Sequence, residues 1–164
     1  MPMRAAITAL ITLLACAPAH AKKPHDSKQL WATVNVCDTP AHPNEIGIRA
    51  SMPGVKQRSK LRMRFRVQYF ASADGRWHNM TGERADSGWL TVGRQKGGIA
   101  ESGWNVRFKP PSAGGAHQLR GSVQFRWIRK GGPLHASRRI TEAGHRSTKG
   151  SDPAGYSAAT CLIS

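Results

Sequence analysis

Acidic residues are scarce in this chain: 9 Asp and Glu stand against 25 Lys and Arg, a formal net charge of +16 over 164 residues. Nine acids form no recognisable carboxylate pair, which weakens a glycosidase reading. Cysteine is scarcer still, with three copies. No two are spaced as CxxC, so a CxxC redox centre is excluded, and the closely paired ligands of a structural zinc site are missing. There is no HExxH, no GxSxG elbow and no P-loop. No helical period extends beyond the first residues, no heptad or Gly-X-Y repeat occurs, and no later apolar run approaches the about 20 residues of a membrane-spanning helix. The length fits one domain, or one domain and a tail. Together these absences exclude a multi-domain enzyme, a coiled coil, a collagen and a multi-span membrane protein, and they point to no cofactor and no catalytic residue.

What is present begins with an address. Arg4 supplies a positive start, residues 5–17 form an uncharged and mostly apolar run, and Ala19-His20-Ala21 places small residues where a signal peptidase reads them. Residues 1–21 are therefore predicted to be a secretory signal peptide cleaved before Lys22. Leu13-Leu14-Ala15-Cys16 also resembles a lipoprotein box in which Cys16 is lipidated, but Leu14 sits where a smaller residue is usual, so simple secretion is the preferred reading. Cleavage leaves Cys37 and Cys161, a single pairing and an even count of the kind expected in an exported protein. A disulfide between them closes a loop of about 124 residues, worth roughly 4–5 kcal/mol in the chain-entropy view.

The polar residues 22–28, KKPHDSK, read as a flexible leader, and residues 29–164 as the folded domain. Its dominant signal is period two. Leu61, Met63, Phe65, Val67 and Tyr69 alternate with Arg62, Arg64, Arg66 and Gln68; Leu119, Val123, Phe125 and Trp127 alternate with Arg120, Ser122, Gln124 and Arg126. Residues 46–52 and 104–109 repeat the design, and weaker strands are expected over residues 30–37, 88–92, 133–141 and 156–163. Strict alternation marks half-buried antiparallel strands. Turn residues punctuate them at Asp38 to Asn44, Pro53-Gly54, Ala73-Asp74-Gly75, Gly97-Gly98, Pro110 to Gly115 and Gly131-Gly132-Pro133. The predicted fold is all-β, an antiparallel two-sheet sandwich of about eight strands.

Two resemblances follow. Gly155-Tyr156 to Cys161, preceded by Asp152, resembles the penultimate-strand region of immunoglobulin-like domains, implying an immunoglobulin-like or fibronectin type III-like sandwich. The stretches LWATVNVCDTPAHPNEIGIRASMPG, RWHNM, ADSGW and TEAGHRSTKGSDPAGYSAATC resemble small exported proteins of GC-rich Gram-positive bacteria. That resemblance implies export and fold, and carries no assigned activity.

The candidate site is basic. Loss of Arg4 with the leader leaves a net charge of +15. Unpaired charge is too costly to bury, so this excess belongs on the surface. The polar phases of the strands supply it: Arg62, Arg64, Arg66, Arg107, Arg120 and Arg126 are the candidate anion-binding residues. If they share one sheet, like charges crowd unless acids or anions intervene. In an exported bacterial protein a positive field of this kind attracts anionic cell-wall polymer, acidic polysaccharide, lipid headgroups or extracellular DNA, although no nucleic-acid-binding motif is present. Trp104 and Trp127 lie on apolar phases and are expected in the core. Trp77 and Trp89 lie near turns and are the candidates for exposed aromatics. His42 with Glu45, and Glu142 with His145, read as turn or surface residues. Three functions remain open: a non-enzymatic secreted binder of anionic envelope polymers, an accessory or structural exported domain with no dedicated ligand, and a hydrolase or inhibitor working through loops at residues 76–89.

Overall fold

A computed structural model describes Pro24, residues 27–82 and residues 84–164. The predicted signal peptide, Cys16 and most of the predicted leader lie outside the described residues. Among the described residues nine strands follow in order: β1 (Trp31–Thr39), β2 (His42–Pro53), β3 (Ser59–Ala71), β4 (Arg76–Asn79), β5 (Leu90–Gln95), β6 (Ile99–Arg107), β7 (His117–Arg129), β8 (Gly132–Ile140) and β9 (Cys161–Ile163). They form two antiparallel sheets that do not close into a barrel. The three-stranded sheet has the order β1-β2-β6. In the six-stranded sheet β3 and β7 are central; β4 and β5 share the outer edge of β3, while β8 and β9 share that of β7.

The two long central strands are those with the strictest alternation. Leu61, Met63, Phe65 and Val67 of β3 face inward with Leu119, Val123, Phe125 and Trp127 of β7. They meet Ala32, Val34, Ile46, Ile48, Ala50 and Met52 of the opposite sheet. Trp127 is fully buried, and its Nε1–H donates to the Pro53 carbonyl at 2.7 Å, tying the end of β7 to β2. Gly121 lies on the same inward phase because there is no room for a side chain. A Cβ there would stand 2.7 Å from Thr141 Cγ2 and 2.8 Å from Ile48 Cδ1.

The cysteines bracket the sandwich as expected, but by a route that alternation does not suggest. Simple period two would put Ala32, Val34 and Val36 inward and Cys37 outward. A bulge intervenes: Val34 lies opposite Ile48 and Val36 opposite Gly47, so Asn35 is extra and the phase inverts. Cys37 thereby falls opposite the inward Ile46, and Cys161 opposite the inward Leu119. The two form a disulfide with S–S 2.06 Å and Cα–Cα 5.4 Å, linking the first strand of one sheet to the last strand of the other.

The expected strand over residues 156–163 is realised only at Cys161–Ile163. The preceding chain, residues 141–160, instead runs as an irregular strap along β1. The Glu142 and Ala158 amides donate to the Ala32 and Val34 carbonyls at 2.9 and 3.0 Å, and the Asp152 amide to the Asn35 carbonyl at 2.9 Å. Thr33 Oγ1 meets Ser157 Oγ at 2.7 Å, and Trp31 stacks on His145 with ring centroids 4.4 Å apart. The strap occupies an edge that would otherwise offer unpaired backbone to another chain. Thr141 anchors its start: Oγ1 accepts the Gly121 amide at 3.0 Å and donates to the Ala159 carbonyl at 2.6 Å. Thr141→Val keeps the shape but leaves the buried Gly121 amide without its hydroxyl acceptor and the Ala159 carbonyl without its donor, and should cost about 1 kcal/mol in urea denaturation. A midpoint equal to wild type would deny the anchor.

Candidate functional site: the outer face of the six-stranded sheet

The register places five of the six candidate arginines on one face. Along β3, Arg62, Arg64, Arg66 and Gln68 alternate with the core residues. Opposite them on β7 lie Arg126, Gln124, Ser122 and Arg120 respectively. Arg138 of β8 lies opposite Gln124 and joins the same face. Arg107 does not: it lies on β6 of the other sheet, where its Nη2 pairs with Glu45 at 3.1 Å. Its strand shows the same alternation as β3 and β7, and only sheet order separates them.

The division of charge between the sheets is sharper than the six candidates suggest. The strands of the six-stranded sheet carry eleven Lys and Arg and no acid. Those of the three-stranded sheet carry Arg49 and Arg107 against Asp38, Glu45 and Glu101. The sandwich is thus electrostatically two-sided.

Like charges directly across a strand pair destabilise it, and the outer face answers this in three ways. The first is Asp86. The segment between β4 and β5 pairs with the edge of β3: the Val67 amide donates to the Ala85 carbonyl, and the Ser87 amide to the Phe65 carbonyl, both at 2.9 Å. This sets Asp86 beside the middle of the strand. Arg64 grips it with Nε at 2.8 Å from Oδ1 and Nη2 at 2.5 Å from Oδ2; Arg66 Nε reaches Oδ2 at 2.9 Å. The Gly88 amide completes the cage at 2.9 Å. Hydrogen bonding from Arg64 holds the Asp86 carboxyl well below the usual carboxylate range, and the same bond raises Arg64.

The second answer is Trp89. Gly88 adopts φ 63°, a conformation open to glycine, and the chain turns so that the Trp89 indole takes both members of the opposed Arg62 and Arg126 pair. Their guanidinium carbons lie 5.8 and 4.3 Å from the ring centroid. Arg62 Nη2 also donates to the Trp89 carbonyl at 2.9 Å. The third is Trp77, whose ring lies 4.3 Å from the Arg120 guanidinium carbon. Arg120 Nε donates to Gln68 Oε1 at 2.9 Å. Burial, with the nearby Arg138 cation, lowers the Arg120 pKa.

Trp77 and Trp89 are therefore neither core residues nor freely exposed platforms. Both are half-buried, with arginines against their rings, and such contacts are worth about 0.5–2 kcal/mol each. Trp104, expected in the core, is half-buried too: its Nε1–H donates to the Arg84 carbonyl at 2.8 Å. His42 and His145 turn to Glu45 and Glu142 at 3.1 and 3.2 Å. Sequence reasoning did not single out Asp86. The acid of ADSGW lies beyond both β3 and β4, and nothing in the sequence says that this segment returns to the strand with three arginines.

Chemically, the face offers guanidinium and ammonium groups with indole surfaces between them, an arrangement suited to holding anions. Compared with known protein families, curated proteins and solved structures, the chain matches none of them.

Proposed function

We propose that this chain is an exported immunoglobulin-like or fibronectin type III-like sandwich that binds anionic polymers of the cell envelope through the outer face of its six-stranded sheet. The observation that carries the reading is the segregation of charge: eleven cations and no acid on the strands of one sheet. A face whose charge is net positive draws polyanions and raises their encounter rate. Export is supported by the leader pattern and by a disulfide, which persists in oxidising compartments. The immunoglobulin-like reading is supported by a β1-β2-β6 sheet packed on a sheet centred on β3-β7-β8, which parallels the division of those sandwiches, with a disulfide crossing between sheets. In immunoglobulin domains the bridge joins two inner strands; here it joins the outermost two in sequence.

The mature protein, residues 22–164, should bind heparin-type resin at low salt and elute as salt rises, because contacts of this kind are screened. Arg126→Gln with Arg138→Gln, two exposed face residues outside the Asp86 cage, should move elution to lower salt, whereas Arg107→Gln should not. Failure of the wild-type protein to bind at low salt would overturn the reading. A second reading, an accessory domain with no dedicated ligand, draws support from Asp86, Trp77 and Trp89, which already satisfy much of the face internally. It expects binding, if any, to be indifferent to which arginines are removed.

A further inference from the structure

The arginines of the paired β3 and β7 strands described so far are answered within the protein by a carboxylate, an amide or an indole. One place on the same sheet is not. At the end of β3 a surface cavity of about 500 Å³ is lined by Arg58, Lys60, Arg94, Arg129 and Lys130, with Ser59 and Ile128. Lys60 lies directly opposite Arg94 of β5 on one side and Ile128 of β7 on the other. Arg129 is held by Gln57, Nη1 to Oε1 at 3.0 Å. The charged groups of Arg58, Lys60, Arg94 and Lys130 make no ion pair or side-chain hydrogen bond among the described residues. Ser59, 2% exposed, leaves its buried hydroxyl without a partner.

We propose that this cavity is a binding site for a multiply charged oxyanion segment, two or three linked phosphate or sulfate groups of a polyanion. The inference rests on the reading of the six-stranded sheet as a polyanion face and names the point where a chain would be gripped. Charge sets the class: five cations facing no acid exceed what one carboxylate or one phosphate balances. Size agrees, since the volume far exceeds the roughly 30 Å³ share of a water molecule and admits a short chain of groups. Guanidinium forks bind phosphate and sulfate oxygens in pairs, as they do those of a carboxylate, so the preference for a multiply charged oxyanion rests on the number of cations. No aromatic lines the cavity, so a nucleic acid would lack the base-stacking surface it uses in single-strand sites. The opposed Lys60 and Arg94 cost stability while the cavity is empty, so an anion bound there removes a repulsion as well as adding bonds.

The test uses the mature protein and inorganic tripolyphosphate, followed by calorimetric titration and thermal melting. Tripolyphosphate should bind and raise the melting temperature, as any ligand of the native state does. K60Q/R94Q should weaken that binding at least about tenfold, two charge-assisted contacts being lost, while its ligand-free melting temperature stays equal or rises. A purely structural role for the pair would instead lower it. Unchanged tripolyphosphate binding by K60Q/R94Q overturns the site, even if heparin retention persists and the flat face stands alone. Conversely, a wild-type protein that fails on heparin but binds tripolyphosphate in a K60Q/R94Q-sensitive way keeps the site and discards the face. A heparin-derived hexasaccharide and tripolyphosphate, compared directly, separate sulfate from phosphate as the source. Equal binding of polyglutamate, or tighter K60Q/R94Q-sensitive binding of a single-stranded oligonucleotide, overturns the oxyanion assignment.

Discussion

Replacing both Cys37 and Cys161 by Ala should cost about 4–5 kcal/mol, the cross-link entropy of a loop of 124 residues. For a domain of this size that is a fall in melting temperature on the order of 15 °C. The loss should be structural as well as entropic. β9 is three residues long and makes three register pairs with β7. Beyond those pairs, Cys161 and Ile163 pack in the core, and the covalent and hydrogen-bonded ties of this end of the chain to the opposite sheet are the disulfide and the strap. Releasing Cys161 should loosen residues 141–160 from β1, exposing the Val34 and Asn35 backbone that the strap now caps. The measurement is a urea midpoint with and without reductant, joined to amide exchange at Val34. Reduced wild type should converge on the double Ala variant, with Val34 exchanging early. A reduced protein within about 1 kcal/mol of the oxidised one would sink this account of β9.

Asp86→Asn should produce the second-largest effect, and in opposite directions for stability and binding. Asn keeps the volume but offers a single oxygen and turns an NH2 toward guanidinium groups. Arg64 and Arg66 then face each other without their shared counter-charge. Losing charge-assisted bonds at a partly buried site costs about 2–3 kcal/mol. Binding should strengthen, because the acid nearest the middle of the basic face is gone, so Asp86→Asn should elute from heparin-type resin at higher salt than wild type. The pH dependence has a definite sign. The folded-state pKa of Asp86 is depressed, chiefly by the bond from Arg64. Its contribution is therefore complete above the unfolded carboxylate pKa of about 4 and is lost as pH falls from there toward the lower folded value. The stability gap between wild type and Asp86→Asn should be constant from pH 5 to 7 and shrink below about pH 4. A gap that widens on acidification would show that the cage does not depend on the ionised carboxylate. Asp86 also changes how the face is tested. Reversing Arg62, Arg64 and Arg66 to Glu would set new acids against Asp86 and disturb the fold before it reported on charge, which is why Arg126 and Arg138 are the informative positions.

The candidate site was half legible. Period two assigned Arg62, Arg64, Arg66, Arg120 and Arg126 to the outward side of their strands, and in the structure they are there, because a half-buried strand leaves its polar phase no other place. Arg107 passed the same test and belongs to the other sheet. Alternation reports which side of a strand a residue takes and is silent on which strands are neighbours. Asp86, Trp77 and Trp89 act through contacts between residues distant in the chain, so their roles had no local signature.

The sequence by itself determined the class of fold, the inward and outward residues of the long strands and the excess of positive charge, and it offered Cys37 and Cys161 as the pair left once the predicted leader is removed. Each follows from composition or from a period of two residues, both local properties. Tertiary structure alone decided the rest. Strand order gathered eleven cations onto one sheet and left the acids of β1, β2 and β6 on the other. A one-residue bulge at Asn35 inverted the phase of β1 and brought Cys37 to Cys161. The end of β3 met β5 and β7 to make a cationic cavity from residues 58 to 130. Long-range pairing, which a local pattern does not encode, turned a bulk charge into a face with an internal counter-charge at its middle and an unanswered cluster at its end.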